Sequence, residues 1–122
     1  MFTLCVKDSF AAAHRIEDYN GKCEDLHGHN FLVEVLFAGE KLGKGGMLVD
    51  FTILKSHLKD VLDSLDHKYI NDLPFFKERA SSSEYLAIYI FNGMKKLIEG
   101  IGVTVKEVKV WESEKAYAGY NE

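Results

Sequence analysis

From His27 to Ala38 the odd-numbered positions read His27, His29, Phe31, Val33, Val35 and Phe37, and this stripe constrains the fold more than any other feature. Side chains alternate across a β-strand, so all six share one face if the segment is extended. That face is apolar for most of its length and ends in two imidazoles, while Gly28 leaves the opposite face clear between them. A strand of this kind has to pack its stripe against a second layer.

The preceding segment, Phe2 to His14, carries the same period: Phe2, Leu4 and Val6 alternate with Thr3, Cys5 and Lys7 before an alanine-rich stretch. After Gly39 the period changes. Gly39 to Gly46 is a Gly/Lys-rich connection without the spacing of a phosphate-cradling P-loop, and Met47 to Asp50 reads as a short extended piece. Leu54, Leu58, Val61, Leu62 and Leu65 then recur at threes and fours, which predicts an amphipathic helix from about Thr52 to Ser64. His57 falls on its polar flank and reads as a solvated histidine. A second helix starts at the N-cap candidates Ser81-Ser82-Ser83-Glu84, continues through Leu86, Ile90, Met94 and Leu97, and stops at Gly100 and Gly102. Val103 to Trp111 is strand-like, with a phase slip between Val105 and Val108 that marks a bulge, and Ala116 to Tyr120 forms a short return strand.

The order strand, strand, helix, helix, strand, strand predicts an α+β fold: a four-stranded antiparallel sheet (ββααββ) with both helices on one face. Leu32 and Leu36 make the second strand apolar on its other parity too, so a leftover apolar face and open edges predict oligomerisation. A chain of 122 residues with one proline and no low-complexity tract reads as a single domain, residues 1–122.

Composition excludes several classes of function. A formal charge of −4 lacks the basic surface that nucleic-acid binding needs. The longest apolar run, Tyr85 to Phe91, is too short to span a membrane, and Lys7 and Asp8 break any secretory pattern at the start. The expected location is the cytoplasm, where Cys5 and Cys23 stay reduced.

The chemistry concentrates in Cys23-Glu24-Asp25-Leu26-His27-Gly28-His29. Two imidazoles on one strand face form half of a site for Zn²⁺, and His14, at the end of the first strand, is a third candidate ligand. Three histidines leave a coordination position open, as a catalytic zinc requires. A thiol next to a metal or a cationic imidazole loses its proton readily, which makes Cys23 a candidate base or nucleophile.

With these residues in place, the chain resembles the 6-pyruvoyl-tetrahydropterin synthase superfamily, whose members share the tunnelling fold. It is most similar to the bacterial 6-carboxy-5,6,7,8-tetrahydropterin synthase branch. The resemblance rests on Phe10 to Arg15, Cys23 to His29, Gly46 to Phe51, Leu65-Asp66-His67 through Asn71, Ser82-Ser83-Glu84 and Glu112, in that order. Three residues between Cys23 and His27 match the carboxy branch; the pyruvoyl branch typically has a longer gap. Ser81-Ser82-Ser83-Glu84 departs from the family's Pro-Thr, small residue, Glu pattern, although Ser82 keeps the hydroxyl.

The resemblance implies a lyase that converts 7,8-dihydroneopterin triphosphate to 6-carboxytetrahydropterin, acetaldehyde and triphosphate in queuosine (deazapurine) biosynthesis. It implies Zn²⁺ on His14, His27 and His29, with Cys23 as general base and Asp66–His67 as a second proton-transfer pair. It implies Glu112 as the pterin anchor, with Ser82 and Glu84 as further substrate contacts. It also implies a homo-hexamer, a dimer of trimers whose sheets close into a barrel, with active sites between subunits. The alternatives are a 6-pyruvoyltetrahydropterin synthase or another dihydropterin lyase of the same fold, and a non-catalytic pterin- or metal-binding oligomer.

Overall fold

The computed structural model describes residues 1–16 and 26–122. Strand β1 (Phe2–His14) pairs with β2 (His27–Gly39), β2 with β3 (Thr104–Ser113), and β3 with β4 (Ala116–Tyr120), all antiparallel in the order β1-β2-β3-β4. Helices α1 (Phe51–Asp63) and α2 (Ser83–Leu97) lie between β2 and β3 in sequence. The α+β architecture expected from the periodicities is the one observed, with helix starts displaced by a residue or two. Met47 to Asp50 runs outside the sheet, and the glycine-rich connection contains a short 3₁₀ turn at Lys44–Gly46, where Gly45 and Gly46 have φ of 72° and 70°.

The core lies between one sheet face and the two helices. Val6, Phe10 and Ala12 of β1 and Phe31, Val33, Val35 and Phe37 of β2 are all buried, facing Leu54, Leu58 and Leu62 of α1 and Leu86, Ile90 and Met94 of α2. The rings of Phe10 and Phe31 stack at 4.9 Å between centroids, directly across the β1–β2 pair. The phase slip read from the sequence is a real bulge: Leu36 pairs with Glu107 and Phe37 with Val105, leaving Lys106 unopposed. Each helix start is capped by a side chain, Asp50 accepting from the Thr52 amide and Ser82 from the Tyr85 amide. Among the described residues no helix is long and apolar enough to cross a membrane.

Leu58 is fully buried where α1 meets the sheet. Leu58→Ala is expected to cost about 2–5 kcal/mol of folding stability through lost burial and a residual cavity, measured as a lowered urea midpoint with unchanged m-value.

Candidate metal centre

Register brings the imidazoles together. His14 pairs with His27 across the β1–β2 ladder, and Ala12 pairs with His29. His14 shares the face of Val6 and Phe10, and His27 and His29 share the face of Phe31, so all three rings lie on the helix side of the sheet. Their centroids are 4.7 Å (His14–His27), 5.1 Å (His14–His29) and 4.4 Å (His27–His29) apart, in edge-to-face contact. Glu112, two residues after the buried Val110 of β3, extends onto the same side. One ligand atom from each of His14, His27, His29 and Glu112 lies within 4.8 Å of the others.

The distances suit a small divalent ion. Two ligands on a tetrahedral ion with bonds of about 2.1 Å lie about 3.4 Å apart. Glu112 Oε1 stands 3.5 Å from His29 Nε2 and 3.7 Å from His14 Nε2. His14 carries the clearest sign. Its ring is 1% exposed, and Nδ1 lies 2.7 Å from the Ser81 carbonyl oxygen. A carbonyl only accepts, so Nδ1 bears a proton, and in the neutral imidazole Nε2 then holds the lone pair. Nε2 is buried and makes no hydrogen bond, which is costly unless a metal takes the lone pair. Three imidazoles and a carboxylate therefore fit a metal ion.

Glu112 was expected as the pterin anchor alone; its carboxylate also reaches the imidazole cluster, with Oε2 3.4 Å from Ser83 Oγ. Ser82 serves as the α2 cap, and Glu84 lies exposed in the first turn of that helix. Cys23 lies outside the described residues. The other thiol, Cys5, is free and exposed. Partial burial, then the Glu34 carboxylate, push its pKa up, so it stays in the less reactive protonated form. His57 is half-buried on α1 and does not belong to the cluster.

Asp66 and His67 occupy the turn after α1. His67 has φ of 58°, rare for a residue other than glycine, and its side chain is 82% exposed. Asp66 Oδ1 accepts the Ala11 amide at 2.9 Å, and Oδ2 lies 3.0 Å from His67 Nδ1. The pair is thus tied to β1 but stands outside the imidazole cluster. His67 borders an open cleft of about 520 Å³ whose floor is Ala11, Ala13, Gly28 and Asn30.

The Ala11 amide, then the contact with His67, hold the Asp66 carboxyl below its ordinary range against the opposing effect of desolvation. A carboxyl lowered on folding stabilises the fold above its unfolded pKa, and the contribution disappears as pH falls through the folded pKa. The stability gap between wild type and Asp66→Asn is therefore expected to be full near neutrality. It should shrink on acidification below the ordinary carboxylate range, as followed by denaturant unfolding at stepped pH.

Two contacts here had no signal in the sequence: the Ser81 carbonyl on the His14 ring, and the Asn71 side chain, which accepts the Arg15 amide at 2.9 Å and donates to the Arg15 carbonyl at 2.8 Å.

Comparison with known proteins agrees with this architecture. A family model described as 6-pyruvoyl tetrahydropterin synthase matches residues 3–122. A putative 6-pyruvoyl tetrahydrobiopterin synthase of Caenorhabditis elegans is 37% identical over 112 residues, covering 81% of this chain and 80% of that protein. A 6-carboxy-5,6,7,8-tetrahydropterin synthase of Synechocystis is 38% identical over 96 residues, covering 75% and 73%. Its Haemophilus influenzae namesake is 28% identical over the whole of both chains. Among solved structures, the 6-pyruvoyl tetrahydropterin synthase of Caenorhabditis elegans superposes with a TM-score of 0.86 at 31% identity, covering 99% of this chain and 95% of that one. The chain belongs to the 6-pyruvoyl tetrahydropterin synthase family, whose members are lyases that form tetrahydropterins.

Proposed function

We propose that the protein is a zinc-dependent 6-carboxy-5,6,7,8-tetrahydropterin synthase. In this reading it converts 7,8-dihydroneopterin triphosphate to 6-carboxytetrahydropterin, acetaldehyde and triphosphate, in the cytoplasm, as a step towards queuosine and related deazapurines. The observation that carries the metal-dependent reading is the buried, unbonded Nε2 of His14 facing two further imidazoles. The choice of product rests on the three-residue gap between Cys23 and His27 and on the similarity to 6-carboxy synthases.

His14, His27 and His29 would hold the Zn²⁺, which when bound would supply Lewis-acid stabilisation of charge on the oxygens of the substrate side chain. The chain's own groups do the rest. Cys23, four positions before His27, takes a proton from the carbon chain as general base. Asp66 fixes the His67 ring through Nδ1, so the other ring nitrogen is the one that exchanges a proton with substrate. Glu112 offers two carboxylate oxygens to the pterin edge, whose paired N–H groups match them. Ser83 holds one of those oxygens in place. Ser82 and Glu84, at the α2 N-terminus, are in this reading further contacts for the pterin. Because His67 projects outside the imidazole cluster, it acts on the Cys23 side of a neighbouring copy, in a hexamer built from two trimers whose sheets close into barrels.

The test is to incubate metal-loaded protein with 7,8-dihydroneopterin triphosphate and identify products by mass. The expected result is 6-carboxytetrahydropterin with one equivalent of acetaldehyde. A second reading, a 6-pyruvoyltetrahydropterin synthase, draws on relatives that carry that name; 6-pyruvoyltetrahydropterin without acetaldehyde would establish it. Binding of the substrate without turnover would instead indicate a carrier.

A further inference from the structure

The segment that follows α1 does more than present His67. From Asp66 to Asn71 it runs beside the last residues of β1 and pairs with them. The Ala11 amide donates to Asp66 Oδ1, and the Ala11 carbonyl accepts from the His67 amide at 2.6 Å. The Ala13 amide donates to the Lys68 carbonyl at 3.0 Å, within a parallel bridge between Ala13 and Tyr69. The Asn71 side chain then takes the place of backbone and engages both the amide and the carbonyl of Arg15. Alternate residues 11, 13 and 15 are thereby held on both sides of His14.

Ser81 closes this arrangement from the other side. It is fully buried, and its Oγ lies 3.0 Å from both the Arg15 carbonyl and Asn71 Oδ1. A hydroxyl carries one proton, so the two acceptors share it. Its own carbonyl receives Nδ1–H of His14. One residue thus grips the backbone next to His14 with its side chain and the His14 ring with its main chain.

We propose that Ser81, locked by Asn71, is the positioning residue for His14: it sets the ring's tautomer and aims Nε2 into the imidazole cluster, and so governs metal affinity. The inference rests on His14 being a metal ligand, as argued above. An imidazole free to rotate or to move its proton to Nε2 presents its lone pair to the ion in only a fraction of its states, whereas one whose Nδ1–H is anchored presents it at no further cost. The Ser81 hydroxyl is needed because a carbonyl in a non-helical segment holds its direction only if its residue is fixed. The Asn71 amide fixes it from a segment that begins with Asp66 and His67, so the metal ligand and the proton-transfer pair share one support.

The test measures metal affinity by competition with a chelator, together with the visible absorption of the Co²⁺-substituted protein, which reports ligand geometry. Ser81→Ala is expected to weaken metal binding about 10–100-fold, the range typical of a lost partner to a ligating histidine, and to alter the Co²⁺ spectrum. Asn71→Ala should move both readouts in the same direction. The double variant should fall short of the product of the single effects, because the two side chains act through one contact. Val61→Ala, in the α1–α2 packing, lowers stability without touching this network, and should leave affinity and spectrum unchanged. Wild-type affinity and spectrum in Ser81→Ala, alongside loss of metal in His14→Ala, would overturn the positioning role and leave the metal site standing. Wild-type affinity in His14→Ala would overturn the metal site and this inference with it. If Ser81→Ala does not fold, Asn71→Ala decides on the same two readouts.

Discussion

His14→Ala is expected to purify as a folded protein that retains no stoichiometric metal and has no measurable turnover. Loss of a supporting partner to a ligand costs about 10–100-fold in affinity, and loss of the ligand itself should exceed the upper end of that range. His14 is the ligand for which substitution is most telling. His27 and His29 are half-buried, whereas His14 is nearly sealed from water. Its removal also deprives the Ser81 carbonyl of its donor, so the metal-free variant should be less stable than the metal-free wild type by about 1–3 kcal/mol. Metal content by elemental analysis and unfolding of both metal-free proteins separate the two effects. A His14→Ala protein that retained a full equivalent of metal would remove the basis of the proposed chemistry.

Cys23→Ala and His67→Ala should each lose about 10²–10⁴-fold in turnover while keeping the metal, because each removes a proton-transfer group and no ligand. If the two groups meet across a subunit boundary, mixing the two inactive proteins under conditions of subunit exchange should restore activity. A random mixture pairs an intact Cys23 with an intact neighbouring His67 at roughly a quarter of the sites, and recovery should approach that fraction of wild type. No recovery after demonstrated exchange would place both groups in one chain's site. The experiment depends on the position of His67, whose ring is largely exposed and stands apart from the imidazole cluster.

The fold was legible because its two periods are clean. The stripe from His27 to Phe37 needed no neighbours to declare itself a strand, and Leu54, Leu58, Val61 and Leu62 declared a helix in the same way. Even the bulge in β3 was visible as a break in alternation. The approach of His14 to His27 and His29 could be anticipated because all three lie at the same end of adjacent strands. The surroundings of that cluster were not legible. Glu112 reaches the imidazoles only through the pairing of β3 with β2, and a charged residue near a strand end has no periodic signature. Asn71 and Ser81 replace missing backbone partners between segments far apart in sequence, and their types suit turns and caps equally well. Such contacts follow from tertiary placement, which local pattern does not encode.

The shared face of β2 also limits how this stretch of the gene can change. A single codon inserted between His29 and Phe31 would keep the aromatic and valine positions in the core and turn both imidazoles to the opposite side of the sheet. Two codons would restore the side but carry the rings about 6.7 Å along the strand, out of step with His14. Length variation is thus barred here even where it would leave folding intact, and the strand can diverge only by exchanging one residue for another.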